Sequence, residues 1–251
     1  MSDSSPTIRL NKFIAQCGIS SRRGADDLVF AGKVTVNGVL ADSPGIKVDP
    51  ASDAVEVNGK PISLPNSGKD ITILLNKPVE TVTTVKDPQG RETVLDLLPK
   101  DIRDMRPFPV GRLDFFSEGL LLLTTDGDLC YRLTHPKWHL PKVYNVTVRG
   151  TVPDKAVKAM RAGMRLKEGD QLAPAKVELK KPVAGTQVIE ITLIQGINRQ
   201  IRRMCSDLNL TILRLKRVKQ GPLSLGDLKN GTWRELTQDE LKSLKKEVKL
   251  A

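Results

Sequence analysis

The stretch GRLDFFSEGLLLLTTDGDL, residues 111–129, sets Asp114 two positions after Arg112, passes through Ser117-Glu118-Gly119 and enters the apolar run Leu120–Leu123. A short apolar run bounded by turn residues reads as a buried strand, and Asp126-Gly127-Asp128 behind it as a turn with a helix N-cap. Similar segments fill the rear of the chain. DITILLNKP (70–78) reads as a buried strand halted by Pro78, VETVTTV (79–85) as another short strand, and TVLDLLP (93–99) as a short helix or turn. DGDLCYRLTHP (126–136) predicts a helix ending before Pro136, KVYNVTVRG (142–150) an alternating strand, and PDKAVKAMRAGM (153–164) a helix with Ala156, Val157, Met160 and Met164 at helical spacing. AKVELKK (175–181) and TQVIEITLI (186–194) continue the strand pattern. Strands outnumber helices without regular alternation. The predicted class is therefore α+β, with a mixed, mostly antiparallel sheet and flanking helices rather than a doubly wound one.

The front of the chain has a different grain. Leu10, Phe13, Ile14 and Cys17 fall at helical spacing and stop at Gly18; Ser20 or Ser21 opens a second helix reaching Ala31-Gly32. Val34–Gly38 and Val55–Gly59 are alternating strands, each ending in the Asn-Gly pair that favours a type I′ turn. Polar, Pro- and Gly-bearing residues around 64–69 read as a linker, which divides the chain into 1–63 and 70–251. Thr237 and Glu240 form the capping box of a last helix running through Lys246.

Charge separates the two parts further. The 251 residues carry 40 Lys+Arg against 29 Asp+Glu, yet residues 1–63 hold seven of each, so the excess of +11 lies behind them. Gly196–Gln220 alone has seven basic residues and one acid, Asp207. Such a stretch suits a polyanion, nucleic acid before a membrane surface; a solvated helix face is the alternative. Ile197, Ile201, Met204, Cys205 and Leu208 make an apolar helical stripe there, with Arg199, Arg202 and Arg203 on a neighbouring face. No apolar run approaches a membrane span and the first residues lack a secretory layout, so the cytoplasm is expected and no membrane. Three scattered cysteines argue against a disulfide framework.

Common catalytic signatures are missing from the sequence. Only His135 and His139 occur, with Pro136 between them, which spoils helical metal-ligand spacing. No phosphate-binding glycine loop, dinucleotide fingerprint or serine elbow is found. The expectation is chemistry without metal or organic cofactor. A lone carboxylate such as Asp114 beside arginine suits work at a nucleoside sugar or glycosidic bond; a turn aspartate is the other reading, and Glu118 is expected at the surface.

Resemblance makes the expectation specific. IRLNKFIAQCGISSRRGADDLVFAGKVTVNG (8–38) resembles the small RNA-binding module first recognised in a small-subunit ribosomal protein, which implies RNA contacts by Arg22 and Arg23. VGRLDFFSEGLLLLTTDGDL, KVYNVTV, LAPAKVEL, QGINRQIRRMC and SLGDLKNGTWRELTQDEL resemble the successive motifs of bacterial ribosomal RNA pseudouridine synthases. This resemblance implies that Asp114 is the essential acid at the ribose C1′–uracil N1 bond, and that Arg112 enters the space left by the extruded nucleotide. By the same match Tyr144 stacks on the base, Arg202 pairs with the aspartate and Ile201 closes the pocket. Arg199 and Arg203 are expected to contact RNA. LAPAKVEL and TTDGDLCYRLTHP most resemble the large-subunit branch, so the implied partners are 23S before 16S RNA and assembly intermediates, for a monomer. A noncatalytic assembly factor on the same fold is the rival. Relatives often carry an arginine where this chain has Ile197, so that arginine's role is not carried over, and Phe115-Phe116 is bulkier than usual after the aspartate.

Overall fold

The computed structural model describes residues 7–64, 70–138 and 140–250. The chain divides into two compact units, residues 1–69 and 70–251. Residues 65–69 of the expected linker, and His139, lie outside the described residues.

In the first unit, β1 (Ile8–Arg9) leads into α1 (Leu10–Gln16) and α2 (Arg22–Phe30). Ser21 caps α2, its hydroxyl accepting from the Gly24 amide at 3.1 Å. Five strands follow: β2 (Val34–Val36), β3 (Val39–Leu40), β5 (Val55–Val57) and β6 (Lys60–Ile62) form one antiparallel sheet in the order β3-β2-β5-β6, while β4 (Lys47–Val48) pairs with β1. Both Asn-Gly pairs turn as their residues require, with Asn37, Gly38, Asn58 and Gly59 all at positive φ. Leu10, Phe13, Ile14, Ala25 and Val29 pack on Val34, Val48 and Val55.

The second unit is built on one nine-stranded sheet. Its strands are β7 (Thr72–Lys77), β8 (Phe108–Pro109), β9 (Glu118–Thr124), β10 (Lys142–Arg149), β11 (Lys176–Leu179), β12 (Thr186–Leu193), β13 (Ile212–Gln220), β14 (Leu223–Ser224) and β15 (Trp233–Glu235). The main order is β11-β12-β10-β13-β9-β7-β15, with β8 beside β9 and β14 beside β13. Every pairing is antiparallel except β9 with β13. Flanking it are α3 (Lys100–Asp104), α4 (Gly127–Thr134), α5 (Asp154–Ala162), α6 (Gln200–Asp207) and α7 (Gln238–Glu247).

The unbroken leucines of β9 follow from cover on both faces. Leu120 and Leu122 pack with Leu129 and Leu133 of α4 and Leu244 of α7; Leu121 and Leu123 pack with Val94, Leu98 and Ile102. The other half of the sheet buries Ala156, Val157 and Met160 of α5 and Ile201, Met204 and Cys205 of α6 against Val146, Val148, Ile189 and Ile191. Asp126 caps α4, accepting from the amides of Asp128 and Leu129, and Thr237 and Glu240 form the full capping box of α7.

Three local expectations are corrected. Residues 79–85 form no strand, only an isolated bridge between Val82 and Thr93, because β7 already has β9 and β15 on its two sides. Their Thr81 and Thr83 hydroxyls turn instead to Glu92 and to the Leu113 carbonyl. The helix expected to carry Met164 ends at Ala162, since Gly163 at φ 80° approaches the Leu172–Pro174 backbone closely. Ile197 and Arg199 precede α6; Arg199 is its N-cap, in the left-handed region at φ 50°.

Candidate active site

The loop 111–117 between β8 and β9 carries Asp114, and four sets of hydrogen bonds hold it. Thr83 Oγ1 donates to the Leu113 carbonyl at 2.8 Å, and the Glu80 amide donates to that of Phe115 at 2.7 Å. Arg202, from α6, donates through Nη2 to the Phe116 carbonyl at 2.6 Å and to Ser117 Oγ at 3.1 Å. Beneath the loop Lys77, fully buried at the end of β7, donates to the Pro78 and Ser117 carbonyls at 2.7 and 2.9 Å.

This anchoring presents the Asp114 carboxylate, 31% exposed, to two guanidinium groups. Oδ2 lies 3.6 Å from Arg202 Nε and 3.8 Å from an Nη of Arg199. These are ion-pair distances, longer than hydrogen bonds, so the carboxylate oxygens retain capacity for a further partner. Burial pulls the Arg202 guanidinium below its ordinary value, with Asp114 opposing that shift. Asp114, Arg112, Tyr144, Arg199, Ile201 and Arg202 line one cavity of about 580 Å³. That is room for a nucleoside. Arg112 is exposed at its wall, Ile201 is buried, and Tyr144 is half-buried on β10, opposite Ile191 on one side and Arg217 on the other.

Other sequence candidates lie elsewhere. Arg203 is absent from the cavity lining; its guanidinium reaches Glu168 and Asp170, each at 2.5 Å. Arg22 and Arg23 are exposed at the start of α2 in the first unit, Arg22 donating to Asn11 Oδ1 at 3.3 Å. Glu118, expected at the surface, is buried and paired with Arg214, whose Nη2 donates to Oε2 at 3.2 Å. Its position at the mouth of β9, opposite Lys216 in the parallel register, is what draws it in. Among the described residues no group of three His, Cys, Asp or Glu is arranged to hold a metal.

Lys77 escapes a reading by motif, although a lysine ending a strand of buried residues is itself a signal. Burial draws its pKa from 10.5 down to about 8, with Asp114 and Glu118 opposing the shift. Between pH 8 and 10.5 the unfolded chain therefore holds a proton that the folded chain has released, so this group's contribution to stability rises with pH across that window. The parent is expected to gain stability relative to Lys77→Met between pH 7.5 and pH 10, measured by urea denaturation. An unchanging gap would refute the assignment.

A sequence model of the RNA pseudouridylate synthases matches residues 71–207, the stretch that carries the Asp114 loop, Tyr144 and α6. The chain belongs to that family. An S4-domain model matches residues 8–55, the helical pair and the first hairpin. An uncharacterised RNA pseudouridine synthase of Aquifex aeolicus is 42% identical over 244 residues, covering 97% of this chain and 96% of the relative. The ribosomal large subunit pseudouridine synthase B of Bacillus subtilis is 40% identical over 241 residues, covering 94% and 95%. A crystal structure of a pseudouridylate synthase superposes on this synthase with a TM-score of 0.68 at 28% identity, covering 94% of this chain and 99% of the other. The α+β architecture and the RNA-modifying class expected from the sequence are thus those of the family.

Proposed function

We propose that this synthase converts one uridine of large-subunit ribosomal RNA into pseudouridine, acting in the cytoplasm on assembly intermediates, as a monomer and without metal or organic cofactor. The observation that carries the reading is the Asp114 carboxylate at the wall of a nucleoside-sized cavity, within 4.0 Å of Arg199 and Arg202. The first unit, through Arg22 and Arg23, docks structured RNA, and residues 70–251 perform the chemistry. A uridine must leave its stack before its glycosidic bond is reachable, at a cost of about a few kcal/mol that inserted side chains offset. Arg112, exposed at the cavity wall, fills the vacated space, and Tyr144 stacks on the base. Asp114 then acts at the ribose, as nucleophile on C1′ or as the base that removes a ribose proton. The C1′–N1 bond breaks with its electron pair on N1, and the uracil turns. C5 then bonds to C1′, which releases the Asp114 oxygen if that had attacked, or returns to the ribose the proton Asp114 had taken; C5 afterwards gives up its proton and N1 gains one.

Large-subunit RNA is favoured by the relation to the Bacillus subtilis enzyme, whose name states that subunit. The test is a pseudouridine map of ribosomal RNA from cells with and without the gene, paired with incubation of the purified synthase and unmodified RNA. One uridine is expected to lose its modification in the deletion and regain it in vitro. Tight, salt-sensitive binding with identical maps would favour an assembly factor instead.

A further inference from the structure

Three buried side chains of the same cavity have polar atoms without a hydrogen-bond partner among the described residues. Arg217, 3% exposed, donates through Nε to the Leu120 carbonyl at 2.6 Å, but its Nη2 has no partner. Gln220, 1% exposed, and Gln200, 5% exposed, each have an unpartnered Oε1. Buried polar atoms in native proteins are almost always paired, so three orphans around one cavity mark a place that something else completes. Strand register explains their meeting. Arg217 stands directly opposite Tyr144 in the β10–β13 ladder, Gln220 opposite Lys142, and Gln200 opens α6 beside Ile201 and Arg202.

We infer that Arg217, Gln220 and Gln200 form the wall that reads the uracil edge while the base is stacked on Tyr144, an assignment that rests on the proposed reaction. Uracil presents an acceptor, a donor and an acceptor: O2, N3–H and O4. A guanidinium supplies a donor to a carbonyl oxygen, and a carboxamide supplies an acceptor to N3–H. Cytosine keeps O2 but has a bare ring nitrogen in place of N3–H and an amino group in place of O4, so the carboxamide oxygen meets another acceptor and a guanidinium facing position 4 meets another donor.

The wall also suits the rearrangement. A half-turn of uracil about its N3–C6 axis exchanges N1 with C5 and O2 with O4, and leaves N3–H in place. An acceptor on N3–H is then a pivot, and a donor beside it faces a carbonyl oxygen before and after the turn. The detached base stays hydrogen-bonded while it presents its new carbon to the sugar.

The test uses full-length synthase carrying Asp114→Asn, to stop turnover, and an RNA fragment bearing the mapped uridine or cytidine at that position. The uridine RNA is expected to bind about tenfold more tightly or better, and Arg217→Met or Gln220→Met to shrink that preference to within about threefold, with melting temperature retained. A merely structural role would weaken both RNAs equally and keep the ratio. If Arg217→Met fails to fold, the Gln220→Met ratio decides. Preference that persists in the folded variants, or that is absent from the parent, overturns the assignment while pseudouridine formation stands. A parent that forms no pseudouridine in any ribosomal RNA removes the underlying reaction and this wall with it.

Discussion

Asp114→Asn is expected to abolish pseudouridine formation, by about 10³-fold or more in single-turnover rate, while leaving the fold and RNA affinity nearly intact. The carboxamide keeps the shape of the carboxylate but offers neither a nucleophilic oxygen nor a proton acceptor of comparable strength. Little structural penalty follows, because the partly exposed carboxylate stands 3.6 and 3.8 Å from its arginines and makes ion pairs rather than short hydrogen bonds. Its loop is held instead through Thr83, Glu80, Lys77 and the Arg202 contacts to Phe116 and Ser117. Loss of that pairing is expected to change stability by no more than about 1 kcal/mol. Tritium release from 5-³H-uridine RNA reads the chemistry, and urea denaturation reads the fold. A variant with parental rate would remove Asp114 from the mechanism.

Gly119→Ala is expected to have the largest effect on folding, a destabilisation of about 3–5 kcal/mol. Gly119 sits in β9 at φ 103°, facing Arg217 across the parallel pairing. A methyl group there would fall inside the van der Waals envelope of the Arg217 carbonyl oxygen and 2.8 Å from its amide nitrogen. Both contacts are backbone, so no side-chain rotation relieves them, and the positive φ adds strain for any residue with a Cβ. Gly127→Ala is the control: it lies at the start of α4, without positive φ, with nothing within 4 Å of the added carbon. It is expected to be neutral or stabilising by up to about 1 kcal/mol. A loss below about 1 kcal/mol for Gly119→Ala would contradict the close approach of the two strands.

Much of this architecture is local in origin and legible for that reason. The Asn-Gly hairpins, the Asp126 and Thr237 caps and the apolar run of β9 each follow from a few neighbouring residues. So does the stripe of Ile201, Met204 and Cys205 on α6. What escapes is set by partners distant in sequence. Residues 79–85 have strand composition but no free edge beside β7. Glu118 looks like any exposed acid until Arg214 and the β9–β13 register enclose it. Lys77 gains its role only because the Pro78 and Ser117 carbonyls converge on it. Arg217 carries one visible clue: it shares its strand face with buried Leu215, two positions earlier. The Asp114–Arg202 pairing was implied by resemblance, and spacing alone would not have joined residues from separate elements.

The pairing of Glu118 with Lys216 has a temporal consequence. A chain leaving the ribosome exposes the acid-bearing loop long before α6 and β13 have been synthesised. Until those segments arrive, β9 lacks its parallel neighbour, Asp114 lacks both guanidinium groups, and the cavity lacks a wall. With Asp114 acting as proposed, a long-range closure of this kind is expected to leave nascent chains inactive, so that modification begins only with a nearly finished chain.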